Sequence, residues 1–378
     1  MLVIITNIPT PYRTAFFNVL SHELKKENIN LHVIYCAKTE PRRSWLFSPE
    51  ENNYNYSFLR SIDINLRNYY LHLNYELISI LKELKPTWLI LGGSWNAFST
   101  IQVLLCKKYI STQILLWSEG HLESKRNSSK IIESLRSIVF NSVNGFVVPN
   151  IKSMDYIRVY NKNSPIGFLP NTVDEDFFSD SSMLSKESII RKYGVKPSNR
   201  ILICVARLDN NKGVFDLMKA YSSLDYNIKD NLSIVYVGSG ELHETMLNYK
   251  VDNKLENVFL LGQKDQDEVK ELLYVSDAFI LPTKLDSNPL TPIEASFMKK
   301  PLILSKLAGN HDELVTVNTG ISINHINETE LMKVLIDFQK MDESSLSEMS
   351  IGAFENVYNS FSRKAVSLNL IEFLLDKK

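Results

Sequence analysis

Short β-branched apolar runs alternate along this chain with longer stretches whose apolar positions recur every three or four residues. The runs predict strands at Leu2–Thr6, Leu31–Cys36, Thr87–Leu91, Gln113–Trp117, Asn144–Val148 and Ile166–Leu169. A second set follows at Ile201–Val205, Ser233–Val237, Val258–Leu261, Ala278–Leu281 and Leu302–Leu304. Helical periodicity lies between most of them, as at Tyr12–Lys26, Leu71–Leu84, Lys212–Leu224 and Asp267–Val275. The chain ends in helical patterns at Glu328–Lys340, Glu343–Tyr358 and Ser362–Leu375. Strands interleaved with helices of this length pair in parallel through right-handed crossovers.

A single sheet of so many strands is improbable, and 378 residues exceed the usual size of one core. The segment Leu169-Pro-Asn-Thr-Val-Asp-Glu-Asp176 has turn chemistry and little apolar content, and serves as the connection. The expected fold is α/β, with two Rossmann-like doubly wound parallel-sheet domains facing each other across a cleft. Residues 1–168 form the first domain and residues 169–359 the second, with a terminal helix at 360–378 packing back on the first. Ligands of such sheets bind beyond the carboxyl ends of the strands.

Composition changes this picture little, with 44% hydrophobic and 22% charged residues. Charge changes it more. The net formal charge of −1 hides a basic first half, in which residues 1–170 carry 19 Lys and Arg against 12 Asp and Glu. Such a half suits an anionic membrane surface or a phosphorylated acceptor, although undirected drift of surface charge explains it equally well. Lys25, Lys26, Arg42, Arg43, Arg60 and Arg67 are its candidate membrane contacts, with Phe16, Phe17 and Leu20 beside them in the first helix. Those three apolar side chains have an ordinary alternative, packing on the sheet. Cys36, Cys106 and Cys204 are widely spaced and fit reduced thiols better than a disulfide framework or a metal site. The opening Met1-Leu-Val-Ile-Ile-Thr6 lacks a basic leader and reads as a first strand. No run of eighteen apolar residues occurs, so the expectation is a cytoplasmic protein touching the inner face of a membrane only peripherally.

Candidate chemistry collects at strand ends. After Ile201–Val205 come Arg207 and Lys212, a guanidinium fork and a compact ammonium near a helix start, suited to a diphosphate. After Ala278–Leu281 come Asp286 and Glu294, acids suited to sugar hydroxyls, with the amides of Leu290 and Thr291 between them. Glu294 has a competing structural role, since Thr291-Pro-Ile-Glu294 reads as a capping box. Gly238-Ser-Gly240 follows another strand and allows close backbone approach, although two glycines are also common in plain βα turns. In the first half, Tyr12, Arg13, Trp95, Glu119 and His121 lie in loops after strands. Aromatic rings among polar groups suit a saccharide. Core packing is the alternative for Trp95 and for Trp117.

The stretches Leu169–Phe178, Val205-Ala-Arg-Leu-Asp-Asn-Asn-Lys-Gly213, Val237-Gly-Ser-Gly-Glu241 and Asp286–Glu294 together resemble the retaining glycosyltransferases of family 4, which have the GT-B fold. They stand in the family's order across roughly residues 165–315, and Pro9-Thr-Pro-Tyr-Arg13 matches more loosely. The resemblance implies that Arg207 and Lys212 hold a donor diphosphate, that Glu294 holds the ribose, and that Asp286 touches the donor sugar. It places Glu119 about where many members carry a histidine beside the reacting sugar, while the strand-end positions themselves put Gly238, Leu290 and Thr291 toward the donor and Tyr12, Arg13, Trp95 and His121 toward the acceptor. Three departures stand out. Asp286 replaces the family's usual Glu, Pro289 replaces a common glycine, and Pro9 and Pro11 replace the glycine-rich turn after strand one.

The expected activity is transfer of a sugar from a nucleotide-diphosphate sugar, UDP favoured, to a hydroxyl of a saccharide or lipid-linked acceptor. Anomeric configuration would be retained, and neither metal nor other cofactor required. Bacterial cell-surface polysaccharide assembly is the expected setting. A sugar-nucleotide epimerase or a non-catalytic sugar-nucleotide sensor are the alternatives. No nucleic-acid partner is implied, because the basic residues lack interleaved aromatics.

Overall fold

A computed structural model describes residues 1–39, 52–66, 69–124, 129–180, 185–196 and 199–376. By its internal contacts the chain divides into two compact units, Met1–Thr172 with Ser362–Lys378, and Val173–Phe361.

The elements of the first unit are β1 (Leu2–Thr6), α1 (Pro11–Lys26), β2 (Leu31–Tyr35), β3 (Asn55–Phe58), β4 (Ser61–Leu66), β5 (Tyr69–Asn74), α2 (Leu77–Leu84) and β6 (Trp88–Gly92). There follow α3 (Phe98–Leu105), β7 (Gln113–Trp117), α4 (Lys130–Phe140), β8 (Gly145–Val148), α5 (Ile151–Tyr160) and β9 (Ile166–Phe168). Seven strands form a parallel sheet in the order β3-β2-β1-β6-β7-β8-β9, while β4 and β5 make a separate antiparallel hairpin. Leu2, Ile4, Val33, Trp88 and Trp117 face one layer of helices, and Val3, Ile5, Leu89, Leu91 and Leu116 face the other. Burial on both faces explains why these strands read as continuous apolar runs.

The second unit holds α6 (Glu175–Ser179), α7 (Lys186–Tyr193), β10 (Arg200–Val205), α8 (Val214–Ser222), α9 (Tyr226–Asp230), β11 (Leu232–Val237), α10 (His243–Asp252) and β12 (Val258–Leu260). It continues with α11 (Gln266–Val275), β13 (Ala278–Leu281), α12 (Thr291–Phe297), β14 (Leu302–Ser305), α13 (His311–Leu314), β15 (Gly320–Ile323), α14 (Glu328–Lys340) and α15 (Glu343–Phe361). Its sheet runs β12-β11-β10-β13-β14-β15, parallel throughout. This is the doubly wound order in which the strand sequence reverses beside the first strand, opening a crevice at the carboxyl ends of β10 and β13. The last helix, α16 (Arg363–Leu375), belongs to the first unit, where Val366, Leu370, Ile371 and Leu374 are buried against the α1 side of the sheet.

Several elements differ from the sequence reading. The pattern at Leu71–Leu84 merges two elements, because the strand β5 runs straight into the helical register of α2 with no glycine or proline between them. The strands β3, β4 and β15 are short or half-polar and lack a continuous apolar signal. Phe16, Phe17 and Leu20 are buried in the core, so α1 offers no apolar membrane face. Arg42, Arg43 and Arg67 lie outside the described residues.

Candidate functional site

In the second unit the crevice is built by two loops that grip each other. Asp209 accepts from the amides of Asn211 at 3.0 Å and Lys212 at 3.2 Å, which curls the chain after β10 into a single 3-10 turn. The carbonyl of Asn211 then receives the Thr283 hydroxyl at 2.9 Å and the Lys284 amide at 2.7 Å, tying that turn to the chain leaving β13. Lys212 is thereby aimed across the switch point, where its ammonium pairs with the Asp286 carboxylate. Both side chains are largely buried, at 14% and 18% exposure, in a setting where charge pairs are screened less than at the surface. The Asp286 loop is itself pinned: Gly309 N–H donates to the Asp286 carbonyl at 2.7 Å, and Asn310 Nδ2 donates to the Pro289 carbonyl at 2.8 Å.

Arg207 takes another direction. Its guanidinium is 76% exposed and reaches back to Asp209 at 3.1 Å, a solvated pair that costs little to break. Gly238 has φ 137°, and the place of its missing Cβ is 2.0 Å from the Ala206 carbonyl oxygen. Its glycine requirement therefore comes from the neighbouring loop, whose position it sets.

Glu294 does not form the expected capping box. Leu290 is the N-cap residue, Thr291 already starts the helix, and no side chain caps this end. The Glu294 carboxyl makes no hydrogen bond or ion pair with any described residue, and burial alone pushes its pKa up to about 7. An acid in that state is a ready acceptor for hydroxyl donors. Sequence reasoning missed Asn288 in the loop before this helix, whose carboxamide O and N are both shielded from solvent without a partner among the described residues. Fully buried Asn310 likewise keeps an unpartnered Oδ1. Polar atoms in that condition cost stability and call for an explanation.

In the first unit, Arg13 near the start of α1 is locked on three sides. It donates to Thr6 Oγ1 at 3.0 Å and to Glu119 Oε1 at 2.9 Å, and it lies over the Trp117 ring at 4.5 Å. Tyr12, Arg13, Phe16 and Trp117 line a small crevice with Leu169–Thr172. Tyr12, Arg13 and Glu119 thus gather at the ends of β1 and β7, with Trp117 as their floor. His121 and Trp95 take other partners. His121 is buried, its Nδ1 2.9 Å from Glu123, and Trp95 packs on the opposite sheet face under the Arg136 guanidinium at 5.1 Å.

Residues 185–351 match the family described as Glycosyl transferases group 1. The second unit thus holds a group 1 glycosyltransferase domain. It is 28% identical over 241 residues to the N-acetyl-alpha-D-glucosaminyl L-malate synthase of Bacillus anthracis, covering 63% of this chain and 58% of that protein. It is also 28% identical over 204 residues to the UDP-Gal:alpha-D-GlcNAc-diphosphoundecaprenol alpha-1,3-galactosyltransferase of Escherichia coli, covering 52% and 50%. This chain thus spans less than two thirds of the length of these curated relatives. Among solved structures it resembles Anabaena Alr3699/HepE in complex with UDP, with a TM-score of 0.74 at 12% identity over 99% of both chains. Its fold is GT-B, made of two Rossmann-like units with seven and six parallel strands.

Proposed function

We propose that this group 1 glycosyltransferase transfers a sugar from a UDP-sugar to a hydroxyl of a saccharide or lipid-linked saccharide, with retention at the anomeric carbon. The observation that carries the reading is the Lys212–Asp286 pair at the switch point, with the unpartnered carboxyl of Glu294 in the following helix. An ammonium there neutralises a diphosphate leaving group, Glu294 accepts the ribose hydroxyls, and Asp286 meets the donor sugar. Arg207, exposed at its surface pair, folds onto the diphosphate. Gly238 shapes the floor, and the first-turn amides at Leu290 and Thr291 face a phosphate oxygen.

The acceptor is held by the first unit, through Tyr12 and the Arg13–Glu119 pair, and we assign Trp95 and His121 to shaping that region. Glu119 sits beside the reacting sugar. The leaving phosphate takes the proton of the acceptor hydroxyl, so positioning and charge stabilisation replace a protein nucleophile, and no metal takes part. The Escherichia coli relative, by its name, uses a UDP-sugar and a diphosphoundecaprenol-linked acceptor, and the Anabaena structure holds UDP. These similarities support a UDP donor, family 4 membership and a cytoplasmic role in cell-surface polysaccharide assembly.

The test is a panel of UDP-sugars and saccharide acceptors, with UDP release and product anomeric configuration read together. Acceptor-dependent UDP release, retained configuration and collapse of the rate in Lys212→Ala are expected. An altered sugar formed from donor alone would establish epimerisation instead, and binding without turnover toward any acceptor would establish a sensor.

A further inference from the structure

Backbone fixes the Lys212–Asp286 pair from both sides. The turn that carries Lys212 is held by Asp209, and its Asn211 carbonyl receives both the Thr283 hydroxyl and the Lys284 amide. Asp286 in turn forms an isolated parallel bridge with Ala308, while Gly309 N–H donates to its carbonyl at 2.7 Å and Asn310 pins Pro289. With both main chains held, the pair is made or broken by side-chain rotation alone. It is also better shielded than its neighbour. Lys212 and Asp286 are 14% and 18% exposed, whereas the Arg207 guanidinium beside Asp209 is 76% exposed and easily recruited elsewhere. Of these two cations, Lys212 is the one held back by its own acid.

To an ammonium, a carboxylate oxygen and a phosphate oxygen are the same kind of partner. We propose that Asp286 is a built-in competitor of the donor's phosphate, occupying the Lys212 ammonium until a diphosphate displaces it. The inference rests on the proposed reading of this crevice as a donor site and adds its regulation. Apparent affinity falls with the fraction of time a site stands open, so a pair formed about nine-tenths of the time weakens diphosphate binding about tenfold. Displacement also frees the Asp286 carboxylate for a hydroxyl of the donor sugar. A complete donor therefore recovers part of the loss, and the product diphosphate, lacking the sugar, does not. Re-forming the pair then favours product release. Asp286 works against a bare diphosphate and for one that carries a sugar.

Isothermal titration with UDP and with inorganic pyrophosphate tests this on the intact wild type, Asp286→Asn, Lys212→Gln and the double variant. Asp286→Asn keeps the side-chain shape and removes the charge, and a melt beside each titration shows whether the variant is folded. It should bind both probes about five- to tenfold tighter than wild type, and UDP should raise its melting temperature more. In the Lys212→Gln background the same substitution should change affinity by less than about twofold. A gain of equal size there would show a general repulsion by the Asp286 charge and overturns the proposal, as does equal or weaker binding by Asp286→Asn. The two probes separate this inference from the donor reading. Tighter pyrophosphate binding with no UDP binding by any variant would uphold the competitor and remove the UDP donor. UDP binding that Asp286→Asn leaves unchanged would uphold the donor and remove the competitor.

Discussion

Lys212 and Asp286 stand 74 residues apart in sequence and meet as an ion pair across the strand-order reversal of the second sheet. In this pair each neutralises the other. Under the proposed function, a donor diphosphate would draw the ammonium away from Asp286 and release its carboxylate to accept a sugar hydroxyl. Binding and arming of the acid become one event. Lys212→Ala is expected to lower kcat/KM for donor by about a hundredfold or more, the usual cost of losing a charge that stabilises a leaving group. Steady-state kinetics beside a circular dichroism melt would check it, and an unchanged kcat/KM would remove the diphosphate assignment.

Glu294 makes pH the next lever. Its carboxyl, ordinarily titrating at 4.5, is raised to about 7 in the fold, so between those values the native chain holds a proton that the unfolded chain releases. Unfolding free energy should accordingly fall as pH rises from 4.5 to 7, by about 3 kcal/mol in total at this site. Glu294→Gln should remove that slope and melt higher than wild type above pH 7. Its affinity for UDP should drop, because the ribose needs the ionised acid. In wild type that affinity should weaken by up to about tenfold per pH unit below 7. Parallel melts and UDP titrations across pH decide both halves.

Asn288 separates binding from folding. Replacing it with Ala deletes two shielded polar atoms that no described residue satisfies, which should leave stability level or raise it by about 1 kcal/mol. Donor KM should nevertheless rise several-fold, because that carboxamide finds its partner in bound donor or in a water ordered by it. A loss of stability without any change in KM would assign Asn288 to the loop alone.

Two glycines of the second unit make a matched pair. Gly238, at φ 137° with a carbonyl oxygen 2.0 Å from its missing Cβ, should lose about 3 kcal/mol or more on substitution by Ala. Gly262, at φ 69° with nothing within 4 Å, should lose only about 1 kcal/mol. Urea denaturation of the two variants measures the difference.

Arg13 tests the first unit. Arg13→Lys keeps the charge but not the fork that spans Thr6 and Glu119, and should raise acceptor KM about tenfold while donor KM stays level. A shift in donor KM alone would contradict the acceptor assignment.

Much of this was legible in the sequence because both sheets are buried on two faces and their strands announce themselves as apolar runs. The segments that carry Lys212, Asp286 and Glu294 were legible for the same reason, since each lies in the loop or helix that follows such a run. What was hidden depends on tertiary neighbours. Nothing local shows that Arg13 meets Glu119 across 106 positions, or that Asn310 holds the carbonyl of Pro289. The expected capping box failed because the helix starts one residue early, a boundary that the proline permits at either place.

The final helix carries a consequence for biosynthesis. The place where Gly167 lacks a Cβ is 2.6 Å from the Phe373 ring, so β9 and α1 are completed by residues that follow the whole second unit in sequence. During translation the first unit must wait, with part of its core open, until all of the second unit has been made. The second unit, continuous in sequence, is free to mature earlier, and a nascent chain stalled before residue 362 should expose its N-terminal half to chaperones and proteases.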